Sequence, residues 1–399
     1  MLRSLHLKNL LSFGPDTEAI ELRRLNVLIG PNGSGKSNFL EALSLLQAAP
    51  KKIADPIRSG GGVHEWLWKR PAELETHASA ELEAVVEMDR EGDALRHSIE
   101  FSHVNGRFLL VNERVSDAKA FTNWGAAMAP YVDRAEDDNP PFFNGNSVTF
   151  YQMQPVRRVQ EPGEPQLDPE RSVLAQWRGK AYPELTSLAQ RYEAIRLYRD
   201  WTFGVRSVAR IRQNNDVPTD FLEPDSGNLA AVLAEFGPPS KRELMKALGA
   251  LFQDIDDVSV KPVGGGLQVF VQQYDKLIPA SRLSDGTLRY LSLLAVLCHP
   301  RPPPLVAIEE PELGLHPDVL PTLAELLRAA SEKTQLIVTT HSTALVDAMT
   351  DMPDSVLICE RDANGTRMER LEPADLKPWL QDYRLGQLWM RGELGGTRW

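Results

Sequence analysis

At 399 residues the chain is long enough for one large domain with an insertion, or for two domains, each with a sizeable core. Apolar residues at 42% and charged ones at 25% exclude a disordered or collagen-like chain, and 29 prolines point to many loops. With 55 acidic against 44 basic residues the net charge is −11, so bulk charge does not favour nucleic acid and any such contact must rest on a local basic face.

The amino-terminal "MLRSLHLKNL" lacks the apolar core of a signal peptide. "LNVLIG" (Leu25 to Gly30) predicts a buried strand, and Ser37 to Ala49 a helix with Leu40, Leu43 and Leu46 at helical spacing. From Ser79 to Val111, alternating segments broken by "DREGD" and "VNG" predict antiparallel hairpins in a small mixed sheet. Residues 113–182 are turn-rich and acidic, and the stretch to Pro218 reads as an insertion of loops and helices. Beyond it "SGNLAAVLAEFG" and "SKRELMKALGALFQ" predict helices and "VSVKPVGGGLQVFVQQ" a hairpin. The last third alternates: helix "GTLRYLSLLAVLC", strand "LVAIEE", helix "PDVLPTLAELLRAAS", strand "QLIVTT", helix "STALVDAMT", strand "SVLICE". That order predicts a parallel α/β architecture with an antiparallel lobe. The expected boundaries are an N-terminal lobe over 1–112, an insertion over 113–218 and a C-terminal lobe over 219–399. The longest apolar run, "YLSLLAVLC", falls short of the roughly 20 residues a membrane span needs, so no membrane partner is expected. Cys298 and Cys359 both lie in apolar runs, which fits a reducing, cytoplasmic setting better than a disulfide framework.

Gly30-Pro31-Asn32-Gly33-Ser34-Gly35-Lys36-Ser37 matches the G-x-x-x-x-G-K-[ST] phosphate loop and sits between a predicted strand and a predicted helix, as that motif requires. Glycines let successive N–H groups turn inward around phosphate oxygens, with Asn32, Gly33, Ser34 and Gly35 forming the cradle. The helix start adds its dipole, Lys36 a point charge and Ser37 a ligand for Mg²⁺. A nucleotide loop of this kind needs acids at a neighbouring strand end. "LVAIEEPELGLHP" supplies them: Glu309 in the metal-side position, where Asp is more usual, and Glu310 as the group that orients the attacking water. The competing reading is a strand simply emerging into water, and Glu312 is assigned to the loop that follows.

Two further segments narrow the class. "RLSDGTLRYL" places Ser284, Asp285 and Gly286 before an apolar helix, making a second helix start able to take an anion. Since one chain needs one cradle, the second is expected to serve a nucleotide held by another copy, in a head-to-tail dimer; otherwise Ser284 is a helix cap. "IVTTHS" ends a strand at Thr340, His341 and Ser342, where an imidazole can meet a terminal phosphate or the attacking water.

In these motifs the chain resembles ABC-type ATPase heads of the RecF/SMC-like branch, among the predicted P-loop ATPases related to the OLD proteins. "LHLKNLLSFGP" with "LNVLIGPNGSGKSN" is similar to their opening, and "LSDGTLRYL", "AIEEPELGLHP" and "VTTHS" to their signature, Walker B with D-loop, and switch histidine. The resemblance covers residues 1–50 and 280–350. It implies an α/β P-loop NTPase with ATP and Mg²⁺ as cofactors and roles for Lys36, Ser37, Ser284, Gly286, Glu309, Glu310 and His341. A D-loop around Leu313 to Pro317 would touch the opposite subunit. Asp285 departs from the transporter signature. A Q-loop glutamine is expected between the Walker motifs, with Gln152 or Gln154 as candidates and Gln272 or Gln273 as alternatives.

Residues 191–212 interleave Arg191, Arg196, Arg199, Arg206, Arg210 and Arg212 with Tyr192, Tyr198 and Trp201, a composition suited to DNA but also to a solvated helix, which the spacing favours. "SGGGVHEWLWKR" has no evident mechanism, and "YRLGQLWMRGELGGTRW" is expected to pack on the head. The function expected is an ATP-hydrolysing switch, a homodimer closed by ATP, read in repair or defence by DNA or by a separate effector such as a nuclease or toxin. The alternatives are a scaffold with negligible turnover and a transporter subunit.

Overall fold

The computed structural model describes residues 1–69, 79–88, 93–118, 147–150 and 168–396. The chain forms two units. The first comprises Met1–Arg23, Asn32–Ile195 and Cys359–Glu369, and the second Arg24–Pro31, Arg196–Ile358 and Arg370–Trp399.

In the first unit a sheet runs β2 (Ile20–Glu21), β1 (Leu2–Lys8), β4 (Ala80–Glu87), β5 (Ala94–Val104), β6 (Arg107–Asp117), β7 (Ser147–Phe150). It is antiparallel except for the parallel pair β6–β7. Strict alternation explains β4, where Ala80, Leu82, Ala84 and Val86 are buried and the glutamates between them are not. In β1 a bulge between Leu2 and Ser4 brings Leu2 to the buried face with Leu5 and Leu7. Because β1 and β2 join the predicted hairpins, the sheet has six strands among the described residues and is larger than the sequence suggested. The glycine-tryptophan segment is structural: Trp66 is fully buried, its carbonyl accepts from Leu11 N at 2.7 Å, and Trp68 N donates to Asn9 O at 2.9 Å. Deeper in the unit, His97 Nε2 lies 2.9 Å from Glu113 Oε1 and His97 Nδ1 3.2 Å from the Tyr192 hydroxyl. Ser172 Oγ donates to Glu113 Oε1 at 2.6 Å and Val173 N to Oε2 at 2.8 Å.

The second unit is built on a parallel sheet in the order β14 (Val356–Asp362, up to Ile358 in this unit), β3 (Leu25–Ile29), β13 (Gln335–Thr339), β12 (Leu305–Glu309), β8 (Arg196–Tyr198). Every residue of β3 and β13 is buried, as strands covered on both faces require. Helices Asp285–Leu297 and Leu320–Ser331 pack into its core with Leu229–Ala234 and Pro238–Leu251. A three-stranded antiparallel sheet of β9 (Ile255–Val263), β10 (Gly266–Gln273) and β11 (Lys276–Pro279) completes the unit. Its C-terminal helix Leu385–Met390 lies against Thr343–Asp347: an added Cβ on Gly386 would come 2.3 Å from Thr343 O.

Residues 191–212 are not one solvated helix. The helix Pro183–Glu193 ends first, and Arg196–Tyr198 becomes the edge strand beside β12. Burial decides this, since Tyr198 is 2% exposed and its hydroxyl donates to Leu222 O at 2.8 Å. Among the described residues, no helix is long and apolar enough to cross a membrane.

Candidate nucleotide site

Parallel strands leave their C-terminal ends at one edge of the sheet. In the second unit β3 runs out into Gly30 and Pro31, β13 into Thr340 and His341, and β12 into Glu310. The ladder continues past the strand ends: Thr340 N donates to Leu28 O at 3.1 Å and Glu310 N to Thr339 O at 3.1 Å. The start of the phosphate loop, both candidate acids and the switch histidine thus leave adjacent strands at the same edge, where ligands of open α/β sheets bind.

The remainder of the loop belongs to the first unit. Gly33 and Gly35 hold φ of 78° and 105°, in the left-handed region that favours glycine. An added Cβ at Gly35 would lie 2.2 Å from Thr366 Oγ1 and 2.8 Å from Ser12 Oγ, so the loop is backed as well as strained. That backing is a hydrogen-bonded prop: the Thr366 hydroxyl, on β15 (Gly365–Arg370), donates to Ser34 O at 2.9 Å and lies 2.8 Å from Ser12 Oγ. Helix Lys36–Ala48 begins at Gly35, which has no side chain to cap its first-turn N–H groups. These donors and the helix dipole fit a phosphate. Ser34, Gly35 and Lys36 are buried, with Lys36 Nζ 3.5 Å from Ser34 Oγ, while Asn32, Gly33 and Ser37 are exposed.

At the acidic strand end, Arg199 Nε approaches Glu309 Oε2 at 3.4 Å. Glu310 has φ 45°, uncommon for a residue with a side chain, and such outliers gather at functional sites. Its Oε1 lies 3.7 Å from His341 Nε2, and its carbonyl accepts from Arg289 Nη2 at 3.0 Å. Glu312 lies in the turn after β12, as its sequence assignment to a loop has it, and acts there as a clasp: Oε1 accepts from Thr340 Oγ1 at 2.5 Å and from His341 N at 3.1 Å. Its Oε2 is buried without a hydrogen-bond partner.

Burial pushes the Glu312 carboxyl above its ordinary range, against the pull of the bonds from Thr340 and His341 N, and Glu310 adds a smaller push upward. A carboxyl with a raised folded-state pKa stabilises the fold most when protonated. That contribution is full below the ordinary glutamate value of about 4.3 and is lost as pH rises through the folded-state value. Glu312→Gln mimics the protonated form, so its melting temperature relative to wild type should be higher at pH 8 than at pH 4.5. A difference that is flat with pH in paired melts would contradict the assignment.

Ser284 is the N-cap of the signature helix, accepting from Thr287 N at 3.0 Å and lying 2.7 Å from Thr287 Oγ1. Arg210 braces this start, donating to Leu283 O, to Asp285 Oδ1 and, at 2.9 Å, to Gly204 O. An added Cβ on Gly286 would come 3.1 Å from Gly314 O, so signature and D-loop touch within one chain. Gln152 and Gln154 lie outside the described residues. Gln272 and Gln273 end β10 at its turn, with Gln272 Nε2 donating to Tyr274 O at 3.3 Å. The residues that sequence reasoning missed here are Arg199, Arg210, Arg289, Glu312 and Thr366. Two of them were visible only as members of an arginine-aromatic run.

A comparison with curated proteins gave no match. Among solved structures the chain is similar to an SmcHead bound to the C-winged helix domain of ScpA, at 14% identity over 94% of this chain and 99% of that one, with a TM-score of 0.58. It is also similar to the Smc head domain with an extended coiled coil bound to the C-terminal domain of ScpA, from Pyrococcus furiosus. There the identity is 13% over 96% of this chain and 98% of that one, with a TM-score of 0.51. At such identities the likeness shows the fold, an α/β P-loop ATPase of the SMC-head type. A family model described as "AAA domain, putative AbiEii toxin, Type IV TA system" matches residues 25–106 and 119–347, most of the chain. The chain therefore belongs to that family of AAA domains, with the P-loop ATPase fold of the SMC/RecF-like type.

Proposed function

We propose that the protein is a cytoplasmic ATP-hydrolysing switch that closes as a head-to-tail homodimer around two nucleotides and reopens on hydrolysis. The observation that carries this reading is the common edge at which β3, β12 and β13 deliver the start of the phosphate loop at Gly30 and Pro31, Glu309 with Glu310, and His341. In this reading Asn32, Gly33, Ser34 and Gly35 wrap the phosphates, Lys36 neutralises them, and Ser37 and Glu309 hold Mg²⁺. When bound, Mg²⁺ supplies charge neutralisation at the terminal phosphates. Glu310 orients and deprotonates the attacking water, and His341 hydrogen-bonds the terminal phosphate. The lobes over 1–112 and 219–399 carry the nucleotide motifs, and the stretch 113–218 between them adapts the ATPase to its task while lending β8 to its sheet.

Ser284 and Gly286 of one copy complete the site built on Lys36 of the other. The exposure of Ser284, with Gly286 half-buried, supports this division, since a cap on an exposed helix start is accessible to a partner's phosphate. The family description names a toxin, and the neighbouring heads are bound to ScpA domains, which supports action through a separate effector protein in defence or repair. Arg199 and Arg210 are engaged within the chain, which favours a protein effector over DNA at 191–212.

Mixing two inactive chains tests the shared site. Lys36→Ala keeps an intact signature, and Ser284→Arg keeps an intact loop but blocks the opposite face. Neither homodimer should release phosphate. In the mixed dimer one site carries both defects and the other neither, so activity should recover to about half that of wild type per mixed dimer if the sites are independent. No recovery, together with an ATP-loaded Glu310→Gln protein that stays monomeric on sizing, would remove the dimer. Absence of phosphate release by wild type would leave a nucleotide-dependent scaffold instead.

A further inference from the structure

Arg289 lies one turn into the signature helix, and no motif assigns it. Its Nη2 donates to the carbonyl of Glu310 at 3.0 Å, and its guanidinium lies 5.9 Å from the Trp201 ring centroid. The contact falls on the residue with the left-handed φ of 45°, whose carbonyl direction and side-chain direction are set together by that backbone. On the same helix, Gly286 rests against Gly314 O, where an added Cβ would come 3.1 Å away. The helix therefore grips the strand exit at both ends of the segment Glu310–Gly314. That segment is clasped in turn to the switch loop through Glu312, Thr340 and His341. Around Arg289 the charged groups are Glu310 and Glu312, both from the strand exit.

We propose that Arg289 is a positioning residue that ties the signature helix to the Glu310 backbone, so that a nucleotide meeting the helix start re-aims the Glu310 carboxylate of the same chain. This rests on reading Glu310 as the water-orienting group. The planar guanidinium suits the task because it bonds a carbonyl while its face lies over an indole. A Lys in its place keeps the charge and an N–H donor for the carbonyl and loses the planar fork. The link runs within one chain, so it would let each chain's signature report to its own glutamate as well as complete the partner's site. Coupling of this kind requires an element with two arrangements, here the Glu310–Gly314 turn.

The test compares wild type with Arg289→Gln and Arg289→Lys in two measurements. In steady-state phosphate release, Gln should lower kcat by roughly 10²-fold, the scale of a misplaced catalytic group, while KM moves less than about threefold. Lys should recover kcat to within about tenfold of wild type, a rescue that loss of fold would not show. In amide hydrogen exchange with AMP-PNP, wild type should gain protection at 30–37, 284–288 and 309–314. The Gln variant should gain it at 30–37 and 284–288 and lose it at 309–314. Wild-type kcat together with wild-type protection at 309–314 in the Gln variant would overturn the proposal. If wild type itself shows no turnover, hydrolysis fails as a function, and the exchange pattern alone decides the role of Arg289. Should the Gln variant unfold, Arg289→Met, which keeps the stem and removes every donor, takes its place in both measurements, and wild-type kcat with wild-type protection at 309–314 again overturns the proposal.

Discussion

Lys36→Ala is expected to lose nucleotide binding, while Glu310→Gln keeps it and loses turnover. Lys36 is 6% exposed and begins the helix that follows the glycine loop, with no side-chain cap at its start. Removing its charge deletes a charge-assisted contact that is formed only with the ligand. A loss of about 3 kcal/mol corresponds to an affinity fall of roughly 10²-fold. Glu310→Gln is isosteric, leaves the Arg289 bond to the backbone carbonyl in place, and removes only the ability to accept a proton. General-base removal costs about 10²–10⁴-fold in rate. Titration with a fluorescent ATP analogue and a phosphate-release assay separate the two. Wild-type affinity in Lys36→Ala would undo the assignment of the loop, and wild-type turnover in Glu310→Gln would move the base elsewhere, with Glu312 next in line.

Why the loop and the acids were legible while their supports were not follows from sequence distance. Gly33 and Gly35 must be glycine for a local reason, a positive φ, so the motif is written in a short run of neighbouring residues. The acids close a buried strand, which an apolar run announces. By contrast, Thr366 props Ser34 across 332 residues, and Arg199 meets Glu309 across 110. No local periodicity encodes such contacts. β1 was missed for a different reason. Its buried leucines fall at 2, 5 and 7, because a bulge breaks the alternation, and that spacing matches neither a strand nor a helix. In 191–212 the arginines suggested a solvated surface, but Arg199 and Arg210 serve Glu309 and the signature, while Tyr192 and Tyr198 are core. Composition counts charges and does not say which of them are already spent within the chain.

The largest expected effect on stability lies away from the nucleotide. Glu113 and His97 are both fully buried, and the carboxylate collects the Ser172 hydroxyl, the Val173 N–H and the imidazole, while the imidazole also meets Tyr192. This one side chain links β6 to β5 and to the helix that starts at Val173. The network leaves the Tyr192 hydroxyl in an environment where burial, with Glu113 adding to it, strongly disfavours ionisation. Glu113→Ala opens a cavity and strands three polar groups in a dry interior, where each keeps its desolvation cost without its partner. Breaking a buried pair from one side costs about 3–5 kcal/mol, and for a unit of this size that lowers the melting temperature by roughly 6–20 °C. His97→Leu alone should also be destabilising, because it leaves the carboxylate without its ring partner. The double change Glu113→Met with His97→Leu removes both members and refills much of the volume, so it should cost less than the sum of the two single changes. Chemical denaturation of wild type, Glu113→Met, His97→Leu and the double variant closes the cycle and gives the coupling directly. Strict additivity would mean that Glu113 and His97 stabilise the first unit independently, and a Glu113→Ala protein that melts with wild type would mean that the network is not what holds the helix at Val173 to the sheet.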